Sequence, residues 1–256
     1  MLKTDFVNLE HEFDNIIKNN NIKTLFQPIV SLETGEIFGY EALSRGPENS
    51  FFYRPDNLFD YAKKKDRLWD LDLLCRIKAI ESFFPIIKDK FLFINIDPEV
   101  INDSKFKKGF TMEYIEKQNI NSENIIIEIT EHSGVNDYST FNQILDHYRD
   151  QGFRIAIDDS GAGYSGLRLM TEVRPSFIKI DMALVRDVDK DMIKKELLKS
   201  ICMFAKIANI IVIAEGIETY DEMKTLINIG IQYGQGYYFQ KPSIKFEHLN
   251  QNIKND

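Results

Sequence analysis

The chain has 256 residues, 43% hydrophobic and 28% charged, with a net charge of −8. That balance suits one globular domain, of a length commonly taken by an α/β barrel of about 250 residues. The acidic charge argues against a nucleic-acid polymer or an anionic membrane as partner, since neither is steered toward a negative surface.

A small phosphorylated substrate stays open where bound metal inverts the local potential. No apolar run nears the roughly 20 residues needed to span a bilayer, and the N-terminus runs into acidic, helix-like sequence, not a signal region. Two cysteines, Cys75 and Cys202, lie in helix-like segments without CxxC spacing. They read as buried thiols in a reducing compartment, so a cytoplasmic location is expected.

Residues 5–18 read as a short polar helix, followed by an Asn-rich turn at Asn19-Asn20-Asn21 and a barrel from about 22 to 245. The first strand is Thr24–Leu32 and the second Glu36–Leu43. Only Glu33, Thr34 and Gly35 separate them. Parallel strands need a crossover of a dozen or more residues, so this pair is an antiparallel hairpin.

Helical patterns fill 56–65 and 68–88, where Leu71, Leu74, Ile77 and Phe84 recur near helical spacing. Strand three is Phe91–Ile96, with a helix near 110–118. Strand four is Asn124–Thr130, with a helix at 137–151. Strand five, Phe153–Asp158, leads into the Gly-rich Ser160–Gly166. Strand six is Ser176–Asp181, with a helix at about 190–207. Strand seven is Ile210–Glu215, with a helix at 219–229, and strand eight lies near Tyr233–Phe239. The order predicts a modified (β/α)8, TIM-like barrel whose first strand runs against the other seven. No linker divides residues 1–256, so a single domain is expected.

The apolar runs share one property: each closes on a polar or acidic group. Active residues of such barrels gather at the C-terminal ends of the strands. Alternation puts Asn95 on the strand face of Phe93, Glu128 on that of Ile126, Asp158 on that of Ala156 and Glu215 on that of Ile213. One strand-end carboxylate is more often a cap or a solvated loop residue. Several converging carboxylates instead repel unless cations neutralise them.

Glu41, Asn95, Glu128, Asp158, Asp159 and Glu215 are hard oxygen donors suited to Mg2+ or Mn2+. Six such groups exceed what one magnesium takes from protein, which favours two metals with Asp158 and Asp159 at the shared edge. Lys179, between Ile178 and Ile180, is placed at the same mouth. Arg45, two residues beyond Leu43, is placed to hold phosphate. Gly161, Gly163 and Gly166 read as a loop over the site. His11, His132, His147 and His248 show no pairing that suggests a nucleophilic triad.

These residues carry a resemblance. Phe26-Gln-Pro-Ile29, Glu41-Ala-Leu-Ser-Arg45, Ile94-Asn95, Glu128-Ile-Thr-Glu131 and Asp158-Asp159 with Gly161-Ala-Gly-Tyr-Ser165 stand in one order. Lys179-Ile-Asp181, Glu215-Gly-Ile-Glu218 and Gln235-Gly-Tyr237 continue it. Together they resemble the EAL-domain cyclic di-GMP phosphodiesterases over nearly the whole chain. The resemblance implies hydrolysis of one phosphodiester of cyclic di-GMP to linear pGpG, with two Mg2+ or Mn2+ ions and inhibition by Ca2+.

It implies that Glu41, Asn95, Glu128 and Asp158 bind the first metal, and Asp158, Asp159 and Glu215 the second. Lys179 would orient or help activate the attacking water, with Gln235 close by. Glu215 could serve as general base, although metal-bound water is already acidified and a ligand role is preferred. Gln27, Leu43 and Arg45, with Glu41 and Asp181, would face the substrate. Glu131 would anchor the Asp158–Leu167 loop, and Glu218 would support the constellation. A homodimer through the region after Asp159 is also implied.

One position departs from the family pattern. Ser160 stands where an apolar residue usually follows the two aspartates, which puts loop packing and dimer coupling in question but removes no ligand. Two other readings remain open at this point. One is a non-hydrolysing cyclic di-GMP receptor. The other is a barrel aldolase using Lys179 as a Schiff base.

Overall fold

The structure, a computed structural model, describes the chain over residues 3–130, 138–160 and 171–246. Helix α1 (Lys3–Lys18) precedes the hairpin of β1 (Lys23–Ser31) and β2 (Ile37–Arg45), which pair antiparallel with Gln27 opposite Glu41. Next come α2 (Pro55–Lys64), which starts on its proline, and α3 (Leu68–Phe83). The predicted helix at 68–88 therefore ends early. Pro85 lacks an N–H and its ring clashes with the carbonyl four residues back, so the helix closes at Phe83.

The order continues with β3 (Phe91–Asn95), α4 (Phe110–Lys117), β4 (Ile125–Thr130), α5 (Tyr138–Asp150) and β5 (Arg154–Ser160). Then follow β6 (Phe177–Ile180), a short α6 (Met182–Val185), α7 (Met192–Ala208) and β7 (Ile211–Ala214). Helix α8 (Tyr220–Ile229) opens with a capping box between Thr219 and Glu222 and stops at Gly230, whose φ is 102°.

The last strand, β8, covers only Tyr233–Gly234, well short of the predicted 233–239. Close approach is the reason. A Cβ on Gly236 would lie 2.1 Å from the Ile217 carbonyl oxygen, so the chain turns against the β7–α8 loop instead of running on. The described strands close into a barrel in the order β1 to β8. β1 is antiparallel to both its neighbours, β2 and β8, while the other adjacent pairs are parallel.

Strand alternation divides the core into two layers. Ile29, Phe93, Ile126, Ala156, Phe177 and Ile213 fill the barrel interior. Their neighbours, such as Leu92, Ile94, Ile127, Ile155 and Ile157, pack outward against helices. Burying each large side chain contributes about 1.5–3 kcal/mol, so the interior is a packed plug, not a pore. That plug is the floor of the site. Cys75 is buried and Cys202 half-buried, both unpaired, and burial pushes their thiols up to about 12 and about 11. No described helix is long and apolar enough to cross a membrane.

Candidate active site

Two residues beyond the interior plug, the same strand faces turn polar. Glu41, Glu128, Asp158 and Glu215 meet around the ammonium of Lys179, which has no exposed surface. Its Nζ lies 3.2 Å from Glu41, 3.0 Å from Glu128, 3.0 Å from Asp158 and 2.8 Å from Glu215. Barrel register explains the meeting: Glu41 pairs with Phe93, Asn95 with Glu128, and Lys179 with Ile213. Amides tie the carboxylates together. Gln235 Nε2 donates to Glu41 (2.7 Å) and Glu215 (2.8 Å). Asn95 Nδ2 donates to Glu41 and Glu128, both at 3.2 Å.

The electrostatics are lopsided. Burial pushes Glu128 and Glu215 well above the usual carboxylate range; Lys179 opposes the shift, and the neighbouring carboxylates add to it. Burial alone would favour a neutral Lys179, but Asp158, Glu128, Glu215 and Glu41 outweigh it and hold its pKa well above that of a free lysine. One ammonium thus faces four acids. Glu128 Oε1, Asp158 Oδ1 and Lys179 Nζ are buried without a partner in hydrogen-bond geometry, although their ion-pair contacts are close.

One oxygen each from Glu41, Glu128 and Asp158 lies within 4.8 Å of the others. An all-oxygen, under-neutralised pocket of this kind fits a hard divalent cation.

Beside this cluster opens a cavity of about 360 Å3, reached by Glu41, Asn95 and Asp158 and walled by Leu43, Arg45 and Phe59. Arg45 Nη1 donates to the Ser44 carbonyl at 2.8 Å, which leaves further guanidinium N–H groups for an anion. Gln27 is buried on the β1 side of the mouth, and its Nε2 donates to the Gln240 carbonyl at 3.2 Å.

Two predicted residues also hold neighbouring backbone and side chains. The Asp181 carboxylate caps α6 by accepting from Ala183 N (2.7 Å). Glu218 forms a two-pronged pair with Arg186 at 2.6 and 2.7 Å. The side chain of Asp159, and all of Glu131 and of the loop glycines Gly161, Gly163 and Gly166, lie outside the described residues, as do His132 and His248. His11 hydrogen-bonds Asn15 within α1, and His147 of α5 hydrogen-bonds Gln151 just beyond that helix.

Sequence reasoning did not single out Phe59, Pro55 or Asp97 on the cavity wall. Asp97-Pro98 directly after strand three was the available signal, since an Asp-Pro pair at a strand end marks a turn at the mouth. Asp97 is held by Lys63 at 2.7 Å and caps the following turn through Glu99 N.

The EAL domain family model matches residues 10–242. The chain is an EAL domain. Among its relatives, the probable cyclic di-GMP phosphodiesterase PdeB of Escherichia coli K12 is 30% identical over 93% of this chain and 46% of that protein. This EAL chain spans about half the length, or less, of the first curated relatives it matches.

A standalone EAL protein of Vibrio cholerae, solved with cyclic di-GMP bound, superposes with a TM-score of 0.81 at 33% identity. The match covers 92% of this chain and 98% of that one. Klebsiella pneumoniae BlrP1, solved with calcium and cyclic di-GMP, gives a TM-score of 0.80 at 30% identity over 90% of this chain and 58% of BlrP1. Its manganese and cyclic di-GMP complex gives 0.78 at 31% identity over 87% of this chain and 56% of BlrP1.

Proposed function

We propose that this EAL domain hydrolyses one phosphodiester of cyclic di-GMP to linear pGpG, with two Mg2+ or Mn2+ ions at the carboxylate cluster. The observation that carries the reading is the ring of Glu41, Glu128, Asp158 and Glu215 around one buried lysine, opening onto a cavity beside Arg45. Ligand-bound EAL relatives of the same fold support it.

In this reading Glu41, Asn95, Glu128 and Asp158 hold the first ion, and Asp158, Asp159 and Glu215 the second. Bound there, divalent ions would acidify a water and polarise the phosphodiester.

The chain's own residues supply the rest. Lys179, within 3.2 Å of four acids, would hold the attacking oxygen and offset charge developing on the phosphate. Without metal, those acids raise the Lys179 pKa, which argues against Schiff-base chemistry that needs a free amine. Gln235 spans Glu41 and Glu215 and fixes their separation. Arg45 and Gln27, with Leu43, Glu41 and Asp181 at the rim, would orient the nucleotide. Glu131 and Glu218 would support the loops. Pairing of two domains through the region after Asp159, and a cytoplasmic setting where cyclic di-GMP acts as a second messenger, belong to the same proposal.

Purified protein with cyclic di-GMP, followed by product chromatography over time, tests the proposal. Mg2+ or Mn2+ should drive conversion to pGpG with little GMP, and Ca2+ should inhibit because it does not impose the same coordination. GMP as the main early product, or equal activity with Ca2+, overturns this account of the site. Tight binding without turnover would make the domain a receptor instead.

A further inference from the structure

Outside the acidic ring and its lysine, the described structure buries three charged side chains: Asp72, Arg76 and Glu222. Glu222 accepts from three backbone N–H groups, which accounts for its burial. Asp72 and Arg76 pair with each other one turn apart on α3, each only 2% exposed. A buried pair is a poor source of stability, because apolar side chains of similar volume often serve as well or better. The pair therefore calls for another account, and its remaining contacts supply one. Arg76 donates to Thr111 of α4 and to Tyr148 of α5, which fixes the guanidinium from two helices. Asp72 gives one oxygen to Arg76 and turns the other toward the exit of β3, where Oδ1 accepts from Asp97 N at 3.4 Å.

That exit is a wall of the catalytic cavity. Asn95, Ile96, Asp97 and Pro98 line it in succession. Pairing of β3 with β2 stops at Ile94 and Ala42. On the other side β4 holds on longer, through the Asn95–Glu128 pair and a bond from Ile96 N to the Glu128 carbonyl at 3.0 Å. Beyond Ile94 the wall thus has a strand on one side, and Asp72 takes the place of one on the other. The contact is long, but its acceptor is a carboxylate kept away from water. Lys63 of α2 steadies the Asp97 side chain at 2.7 Å, whereas Asp72 acts on the peptide plane itself.

We propose that Asp72 is a positioning residue for substrate, holding the Asp97 peptide so that the wall from Asn95 to Pro98 keeps the shape that cyclic di-GMP fills. Arg76 aims the carboxylate, and Thr111 and Tyr148 aim Arg76. Asn95 is tied to the acidic ring by its own amide and to β4 by its strand pairing. Loss of the anchor therefore loosens Asp97 and Pro98, and binding suffers more than chemistry. The inference rests on the proposed substrate, although the anchor can be tested without it.

Two double variants isolate the acceptor. Asp72→Asn with Arg76→Met removes both charges and keeps an oxygen for Asp97 N. Asp72→Val with Arg76→Met removes the charges and the oxygen together. Both lose the same Arg76 contacts, so they should melt within about 5 °C of each other. In ligand-free protein, the Asp97 amide should exchange hydrogen at least about tenfold faster in the valine variant than in the asparagine variant. The valine variant should raise KM for cyclic di-GMP, and its calorimetric Kd with Ca2+ present, at least about fivefold, with kcat within about twofold. The asparagine variant should stay within about twofold of the wild type in all three. A merely structural pair would lower the melting temperature and the active fraction without moving KM.

Equal KM and Kd in the two double variants, or equal exchange at Asp97, overturns the proposal. Should the valine variant fail to fold, Asp72→Ala with Arg76→Met carries the same comparison without added bulk. A wild-type protein that neither binds nor cleaves cyclic di-GMP defeats the proposed function, and this inference with it. An active wild type whose two double variants behave alike defeats this inference alone.

Discussion

Lys179→Met tests the electrostatic reading most directly, because it removes the only cation that the described structure places within the acidic ring. The substitution keeps length and apolar bulk while leaving Glu41, Glu128, Asp158 and Glu215 with no counter-charge at 2.8–3.2 Å. Deleting one partner of a buried ion pair costs roughly 3–5 kcal/mol. For a chain of this size that is a fall of about 6–20 °C in the melting temperature of metal-free protein.

The penalty has a pH sign. Burial already raises Glu128 and Glu215, and losing Lys179 raises them further. An acid whose folded pKa exceeds its unfolded value keeps its proton longer in the folded state, so stability is present at low pH and lost as pH rises through that window. Destabilisation should therefore be larger at pH 8 than at pH 5.

Thermal melts in chelator, at both pH values and then with excess Mg2+, measure each part. Mg2+ should recover much of the loss by restoring positive charge. Hydrolysis should remain at least about 100-fold slower even when metal and cyclic di-GMP still bind, since the lysine acts on the reacting oxygens. A metal-free variant that melts within about 2 °C of the wild type at pH 8, or that suffers more at pH 5, would refute the argument.

The remaining predictions probe other contacts. Glu41→Ala and Asp158→Ala should each abolish metal-dependent turnover without unfolding the domain, as read by product analysis beside circular dichroism. Glu128→Gln should lose metal affinity by calorimetry yet leave metal-free stability unchanged or raised by about 1 kcal/mol, because it relieves repulsion among buried acids.

Burial alone would raise the Glu222 pKa, but the backbone N–H groups of Asp187, Glu218 and Thr219, each 3.0 Å from its carboxylate, bring it below the usual range. Glu222→Gln should therefore cost about 1–2 kcal/mol at pH 7 in urea unfolding, and the gap should narrow as pH falls below about 4 and the wild-type carboxylate protonates. Gly236→Ala, whose Cβ would meet the Ile217 carbonyl at 2.1 Å, should destabilise by at least about 2 kcal/mol and displace Gln235 enough to slow hydrolysis.

The residues that sequence reasoning placed well are those under a local rule. The short loop at Glu33-Thr34-Gly35 forces an antiparallel β1–β2 pair, and the structure has it. Strand period two puts Asn95, Glu128, Asp158 and Glu215 above the apolar interior, and the cluster forms there. Even Lys179, a residue type that is ordinarily exposed, is betrayed by its alternation with Ile178 and Ile180.

What stayed hidden depends on distant partners. Gln27 meets Gln240, 213 residues away, and no local pattern announces it. Asp181 also caps α6 and Glu218 also pairs with Arg186, contacts that the sequence pattern does not announce. Only the folded chain reveals which contact wins. Tyr233–Phe239 looks β-prone by composition, but strand eight ends at Gly234, and the approach of Gly236 to Ile217 is a tertiary event.

The sequence places five acids at these strand ends, counting Asp159, against the single ammonium of Lys179. One divalent ion would leave the site two charges short of neutrality, and two ions would neutralise it before the substrate's phosphate arrives. A low-dielectric floor of Phe93, Phe177 and Ile126 makes any imbalance expensive. The two ions should therefore bind with dependence on one another. In the proposed enzyme, Lys179 would then serve twice. It offsets the repulsion among the surrounding acids, and it would donate to the attacking oxygen.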